Sequence, residues 1–470
     1  MDQKLEDAIY DFDKLSIIDK TKRTTHSCSP TINKFQPIED PKRVTVEDLK
    51  KLVDKEEGET VESVAYYCRG GYMPVLVGQL IGPKNRYKII RKIGWGTYST
   101  VWLSQDLTCK TYRAIKIIKS DRRYRTLAVE EIDMLRYIKH RDPNAPGYNN
   151  IIMFQDWFSA SSYHGKHYSL VFELMGPSLL QLIIQSNFCG LEQSGVKNII
   201  KQILLGLSYL HKTCSVIHTD IKPENILISV KDSYINNVVE FVNRFQKLQV
   251  HFPKTYEMYV NPIESVDDEF TPENRQRADS WPAMHLSNKR KSEIFTPLFV
   301  DPNIRIKIAD LGNSCRENRT IATAIQTTQY RALEVIIGAQ YSFPIDIWSA
   351  ACVAFELCTG NYLFNPELNE SLSTAESHLA LIWQLLDGIP DDVVITGTKW
   401  RDYFVPSGSL LKVDENSITF NMIEDVLIDT YRWTKHDAQL FRSFIEAMIK
   451  PRPSERVTAS DALKHAWLQE

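Results

Sequence analysis

No stretch of roughly 18 consecutive apolar residues occurs in this sequence, which argues against a membrane-spanning helix. The opening MDQKLEDAIYDF is acidic and lacks an apolar signal core. Charge of one sign is equally scarce. Lys and Arg total 56 against 59 Asp and Glu, for a net charge of −3, so no global basic field asks for nucleic acid. The 8 cysteines are scattered, and none sits in a CxxC pair. Neither a zinc site nor a disulfide framework is indicated, and a reduced compartment, cytoplasmic and nuclear, is expected. With 43% hydrophobic residues the chain can bury a sizeable core.

The most informative stretch reads HTDIKPEN, from His218 to Asn225. One tight loop presents the carboxylate of Asp220, the ammonium of Lys222 and the carboxamide of Asn225. Phosphoryl transfer from a nucleotide needs that set: a carboxylate to accept the substrate hydroxyl's proton, a cation to steady the γ-phosphate, and an amide oxygen to hold a metal. The string resembles the catalytic loop of eukaryotic protein kinases.

Residues 1–65 are polar and mixed in charge and read as a mobile arm, with a short helix expected at Val46–Val53. From Arg86 the pattern changes. Tyr87–Ile93 reads as a strand, Gly94-Trp95-Gly96 as a turn, and Ser99–Leu103 as a second strand. Glycines let backbone N–H groups approach phosphates closely, so Ile93, Gly94, Trp95, Gly96, Thr97, Tyr98, Ser99, Thr100 and Val101 are candidate ATP-binding residues. Lys116 interrupts the β-branched run Ala114–Ile118, where an unpaired ammonium would be costly. Its expected partner is Glu131, on a helix over Thr126–Ile138 that places Leu127, Met134, Leu135 and Ile138 on the same side; Glu130 is the neighbouring competitor. Tyr168–Gly176 reads as a strand entering a hinge, where the backbones of Glu173 and Met175 would bond adenine. An amphipathic helix carries Val196, Ile199, Ile203, Leu207 and Leu210 toward the catalytic loop. Between Ile228 and Ile306 lies an insertion, over about residues 231–303. It begins with a helical face of Ile235, Val238, Val239, Val242, Phe245 and Leu248. The strand Ile306–Ile308 ends in Asp310-Leu311-Gly312, placing Asp310 as a second metal-binding group. Glu334 is expected to pair with the distant Arg456, and Asp346 to brace the catalytic-loop backbone.

From about Gly70 onward, leaving out the insertion, the chain resembles the SR-protein kinases, in the CMGC group of serine/threonine protein kinases. The strings that carry the resemblance are GGYMPV, RKIGWGTYSTVWL, HTDIKPENILISV, KIADLGNSC, QYRALEV and DIWSAACVAFELCTG. The resemblance implies an α+β, bilobal protein-kinase fold, with a small β-rich N-lobe (about 86–175) and a larger, mainly helical C-lobe (about 176–470). It also implies ATP with Mg2+ as cofactors, and transfer to serine in Arg/Ser-rich splicing factors. A monomer with no direct nucleic-acid or membrane partner is expected.

Two departures bear on mechanism. Thr219 stands where most kinases carry an Arg before the catalytic Asp, so no clamp for a phosphorylated activation loop is apparent, and activity should not require that modification. The family's acidic docking groove is also altered. Aligned without gaps, its three carboxylate positions fall on Asn361, Ser377 and Gln384, and Thr328 replaces a customary Arg. Each lost carboxylate removes about 0.3–1 kcal/mol of exposed pairing with guanidinium. Glu376, Asp387, Asp391 and Asp392 are candidate substitutes. Two other readings are a pseudokinase scaffold, which the presence of Lys116, Asp220, Asn225 and Asp310 opposes, and a LAMMER-type dual-specificity kinase, whose namesake string is absent.

Overall fold

A computed structural model describes residues 62–247, 298–317, 325–368, 372–405, 408–413 and 422–469. The arm before Glu62, its expected helix at Val46–Val53, and the second half of the insertion lie outside the described residues.

In chain order the strands and helices are β1 (Leu80–Ile81), β2 (Tyr87–Gly96), β3 (Ser99–Asp106), β4 (Thr111–Ile118), α1 (Arg122–Lys139), β5 (Phe154–Ser162), β6 (Gly165–Glu173), α2 (Leu179–Gln185), α3 (Gln193–Ser208), β7 (Val216–Ile217), β8 (Ile226–Ile228), α4 (Asp232–Lys247), β9 (Ile306–Ile308), β10 (Cys315–Arg316), α5 (Leu333–Ile336), α6 (Pro344–Thr359), α7 (Thr374–Leu386), α8 (Asp391–Val394), α9 (Trp400–Tyr403), α10 (Ile423–Asp429), α11 (Lys435–Met448), α12 (Ala459–Ala462) and α13 (Ala466–Gln469). They form two compact units. One holds the described residues up to Arg125, Trp157–Val171 and those from Asp232 in the insertion. The other holds Thr126–Asp156, Phe172–Lys231 and the described residues from Leu298 onward.

The first unit is built on a six-stranded sheet of order β1-β2-β3-β4-β6-β5, antiparallel from β1 to β4. Its core gathers Met73, Ile81, Tyr87, Ile89, Trp102, Ile115, Ile117, Phe158 and Val171. Alternation explains the choice, since Tyr87 and Ile89, like Ile115 and Ile117, are two apart and share one face of the sheet. The β2–β3 hairpin pairs Gly96 with Ser99 around the two-residue turn Thr97-Tyr98, with register shifts between Ile89 and Arg91 and between Lys92 and Gly94. Helix α4 packs against β2 and buries Ile235, Val238 and Val242. The insertion therefore begins as part of this unit's apolar packing.

The second unit is mainly helical. Helix α6 is buried from Ile345 to Thr359, and this all-round burial matches its nearly continuous apolar sequence. Helix α3 buries Val196, Ile199, Ile200, Ile203, Leu204 and Leu207, then widens into a π-helical turn at Tyr209–Cys214. The Tyr209 hydroxyl donates to Ile138 O (2.7 Å), and the Tyr137 hydroxyl to Cys214 O (2.9 Å), pinning that turn to the end of α1. Helix α1 corrects one expectation. Leu127 is 52% exposed, and the buried face consists of Ala128, Glu131, Ile132, Leu135 and Ile138.

Candidate active site

In the second unit the catalytic loop is held from beneath by one carboxylate. Asp346, in the first turn of α6 and fully buried, accepts the backbone N–H groups of His218 (2.8 Å, Oδ2) and Thr219 (2.9 Å, Oδ1), and meets His211 Nε2 at 2.9 Å. Thr219 sits at φ 70, and this left-handed turn depends on such bonds to offset its strain. Its hydroxyl donates to Asn313 O (2.9 Å), joining the loop to the turn after Asp310. His218 Nε2 lies 3.0 Å from Ala309 O. Short polar contacts thus fix the loop on several sides, so the side chains it presents have little freedom.

Those side chains converge. Lys222 Nζ lies 2.7 Å from Asp220 Oδ2. Asn225 Nδ2 donates to Asp220 O (2.8 Å) and Oδ2 (3.1 Å). Thr327, from the far end of the activation segment, donates its hydroxyl to Asp220 Oδ1 (2.8 Å) and accepts from Lys222 Nζ (2.8 Å). Burial opposes the charge on Lys222. The carboxylates of Asp220, Glu224 and Asp310 outweigh that penalty and raise its pKa above the ordinary lysine value. Lys222 is therefore a permanent cation beside the catalytic carboxylate.

Asp310 follows β9 at φ 59, ψ 67, and the N–H of the preceding Ala309 is anchored to Asn225 O (2.8 Å). Among the described residues no cluster of three or more His, Cys, Asp or Glu side chains could hold a metal. A hard divalent ion would find only oxygens here, from Asp310 and from Asn225, whose amide nitrogen is already turned to Asp220. This donor set fits an ion that keeps waters and takes further oxygens from phosphates.

The activation segment ends in a tightly bonded turn. Gln326, at φ 63, donates through Nε2 to Ile345 O (3.0 Å) and Ser349 Oγ (2.8 Å), and its Oε1 accepts the Ala332 N–H (2.9 Å). The Tyr330 hydroxyl donates to Glu356 Oε2 (2.6 Å). Glu334 and Arg456 form a bidentate, buried pair at 2.6 and 2.7 Å, with the guanidinium 4.8 Å from the Trp348 ring centroid. Such a pair resists removal of either partner, because the other charge would remain desolvated. At the hinge, Glu173 N–H donates to Met153 O (3.0 Å), while its side chain accepts from Met153 N–H (2.6 Å) and pairs with Lys307 (2.7 Å). Glu173's remaining backbone group for a base is thus its carbonyl. Phe172 packs edge-on against Phe154 at 5.8 Å.

The first unit carries the other candidates. Lys116 stands opposite Val101 in the β3–β4 pairing, is buried, and places Nζ 5.1 Å from the Tyr98 ring centroid. Ile93 and Trp95 are exposed on the hairpin, whereas Ser99 and Thr100 are buried. Glu131 is 4% exposed and Glu130 is exposed, which singles out Glu131 as the acid whose charge needs compensation.

The docking positions tell a different story. Asn361 is buried and donates to Tyr431 Oη (2.8 Å) and Thr359 O (3.2 Å). Ser377 Oγ accepts the Glu367 N–H (3.1 Å). Glu376 is already committed: it closes the capping box with Ser373 at the start of α7 and pairs with Lys412 (3.0 Å), while Asp392 pairs with Arg452 (2.6 Å). Of the candidate substitutes only Asp387 and Asp391 are exposed and form no ion pair among the described residues.

Sequence reasoning missed Thr327 and Gln326. Gln326-Thr327 was visible only as residues just ahead of the QYR string, and nothing local marks a threonine as partner to a carboxylate 107 positions away.

Comparison with known proteins adds the following. A protein kinase domain matches residues 87–240 and 297–468, and the gap between them falls within the insertion. SRSF protein kinase 3 of Sus scrofa is 33% identical, covering 88% of this chain and 91% of its own length. A serine/threonine-protein kinase SRPK of Physarum polycephalum is 35% identical, covering 90% and 93%. Protein kinase dsk1 of Schizosaccharomyces pombe is 31% identical, covering 91% and 89%.

Proposed function

Since the chain belongs to the SR-protein kinases, protein serine/threonine kinases that use ATP and a divalent metal, we propose that it phosphorylates serine in Arg/Ser-rich proteins of the splicing-factor type, with Mg2+ as the metal. One observation carries the mechanistic reading: Lys222, Asn225 and Thr327 all bond to Asp220, and Thr327 also accepts from Lys222. Asp220 accepts the serine hydroxyl's proton as that oxygen bonds to the γ-phosphorus and the bond to the β–γ bridging oxygen breaks. Lys222 offsets charge on the transferring group. Asn225 and Asp310 would hold Mg2+, which supplies charge neutralisation at the phosphates. Lys116 orients the nucleotide, Glu131 is the buried acid that calls for a cation, and the Glu173 carbonyl and Met175 backbone receive the adenine. Positioning and electrostatics, rather than covalent catalysis, supply the rate.

We also propose that activity does not depend on activation-loop phosphorylation. Two features support this. Thr219 carries no cation for a phosphate to engage, and the C-terminal end of the segment is held by hydrogen bonds from Gln326 and Tyr330 that need no phosphate. The test is a bacterially produced, phosphate-free preparation assayed on an Arg/Ser-repeat peptide and on a serine peptide without arginine. Turnover on the first well above the second supports both proposals. No turnover on either would favour the pseudokinase scaffold.

A further inference from the structure

Ahead of the sheet, residues 66–72 close a small loop. Tyr72 N–H donates to Tyr66 O (2.9 Å) and Gly71 N–H to Cys68 O (2.8 Å). A Cβ on Gly71 would stand 1.9 Å from Tyr66 O, so no other residue fits. The loop is tied to the chain just past β4: Ser120 N–H donates to Gly71 O (3.1 Å) and Asp121 N–H to Gly70 O (2.9 Å). Just before them in the chain is Lys119, its ammonium 4.4 Å from the ring centroids of both Tyr66 and Tyr72. The loop therefore has a fixed place, and Tyr72, 1% exposed, has a fixed ring.

The Tyr72 hydroxyl reaches the glycine-rich hairpin and donates to Gly96 O (2.5 Å). Lys119 N–H donates to Tyr98 O (2.8 Å), so the turn Thr97-Tyr98 is held by its carbonyls on both sides. The peptide linking Gly96 to Thr97 is planar and trans, so its C=O and N–H point in opposite directions. Fixing the carbonyl on Tyr72 aims the Thr97 N–H the other way. A Cβ built on Gly96 would meet nothing within 4 Å, so the chain's own packing does not explain a glycine there. An open glycine beside an oriented N–H suits an anionic oxygen. Burial, reinforced by nearby Glu62, pushes the Tyr72 phenol's pKa up, so it stays a donor at physiological pH.

We propose that Tyr72, outside the hairpin and upstream of the sheet, is a positioning residue for nucleotide phosphates, its hydroxyl orienting the Gly96–Thr97 peptide. This deepens the kinase reading and rests on the hairpin being the nucleotide loop. The Tyr72→Phe variant keeps the ring against Lys119 and deletes only the hydroxyl. Loss of one buried hydrogen bond should weaken ATP binding, and raise KM for ATP, by about three- to tenfold, with kcat changed less. Adenosine, which lacks phosphates, should bind both proteins equally. Calorimetry with ATP and with adenosine, plus ATP-dependent kinetics, reads each quantity. Equal ATP affinity in the two proteins overturns the role of Tyr72. So does a parallel loss of ATP and adenosine, which would mark general damage. A wild-type protein that binds neither ligand would instead bring down the kinase reading itself.

Discussion

The catalytic loop and the helix expected to face substrate, α7, are built on opposite plans. Around Asp220 the contacts described are polar and short, some local and others made between segments far apart in sequence. Asp346, Thr219, Thr327 and Asn225 each serve to hold another functional group in place. Helix α7 is fixed by burial. Leu379 and Ile382 are inside, His378 is buried with them, and its two family-groove positions, Ser377 and Gln384, carry no charge. The contrast separates a proposed chemistry from a proposed selection: phosphoryl transfer would depend on a network with few tolerable changes, whereas on the docking reading α7 lacks charges while its scaffold stays packed.

The sharpest way to break that contrast is at Asp220. Asp220→Ala should lower kcat by about 10^4-fold while leaving ATP affinity within about twofold, because the carboxylate acts on the hydroxyl rather than on nucleotide binding. Steady-state kinetics and calorimetry together decide this. A comparable loss of ATP binding would remove Asp220 from its assigned role.

Thr327 comes next. Its hydroxyl both donates to Asp220 and accepts from Lys222, so Thr327→Val leaves two charged groups short of a partner. A fall in kcat of about 10- to 100-fold is expected, with KM for ATP unchanged and activity restored by Thr327→Ser. If valine and serine behaved alike, the hydroxyl would be irrelevant and the network merely structural.

These two residues also show what could be read in advance. Asp220, Lys222 and Asn225 lie within one string, so their association is local and visible in sequence. Asp346 and the Glu334–Arg456 pair are distant, yet both were expected, Asp346 as the acid that opens an apolar helix and Glu334 as the end of the activation segment. Thr327 and Tyr72 carried no such mark, since a neutral hydroxyl is at home on any surface, and only tertiary structure sets it on Asp220 or Gly96. The helix over Leu127 was misjudged for a related reason. The packed face already includes Ala128, so packing is rotated past Leu127, and periodicity does not say which edge of an apolar stripe is covered. The sheet and helices themselves followed from alternation and three-four spacing. The π-helical turn at Tyr209–Cys214 did not, because it is set by hydroxyl bonds to α1 and by the loop that follows.

Helix α7 yields a pH effect of intermediate size. His378 is fully buried, and no hydrogen-bond partner for Nε2 is present among the described residues. Burial, with Arg331 nearby, pushes its pKa down to about 3 from the ordinary 6.5. Between those values the unfolded chain binds the proton and the folded chain does not. Stability is therefore complete above the unfolded pKa and is lost as pH falls below it, by about 2 kcal/mol at pH 5. Urea unfolding at pH 7 and pH 5 should show this decline in the wild type and a smaller one in His378→Leu. Identical declines would mean that the imidazole is not confined as described.

The smallest effect is the one that tests selection directly. Asn361 is the wrong place to restore charge, because its amide donates to Tyr431 Oη and Thr359 O, and an aspartate would forfeit both bonds. Ser377 is better. Its Oγ serves only as an acceptor for the Glu367 N–H in the described structure, a part that a carboxylate oxygen can take over. The double variant Ser377→Asp, Gln384→Glu should lower KM for an Arg/Ser-repeat peptide by about three- to tenfold, at about 0.3–1 kcal/mol per exposed pair. KM for a serine peptide lacking arginine should not move, and the gain should shrink as salt rises, since exposed charges are screened within roughly 8–10 Å. A gain of equal size on both peptides would point to altered packing of α7. No gain at low salt would show that missing charge is not what distinguishes this surface, and would shift the search for substrate contacts to Asp387 and Asp391.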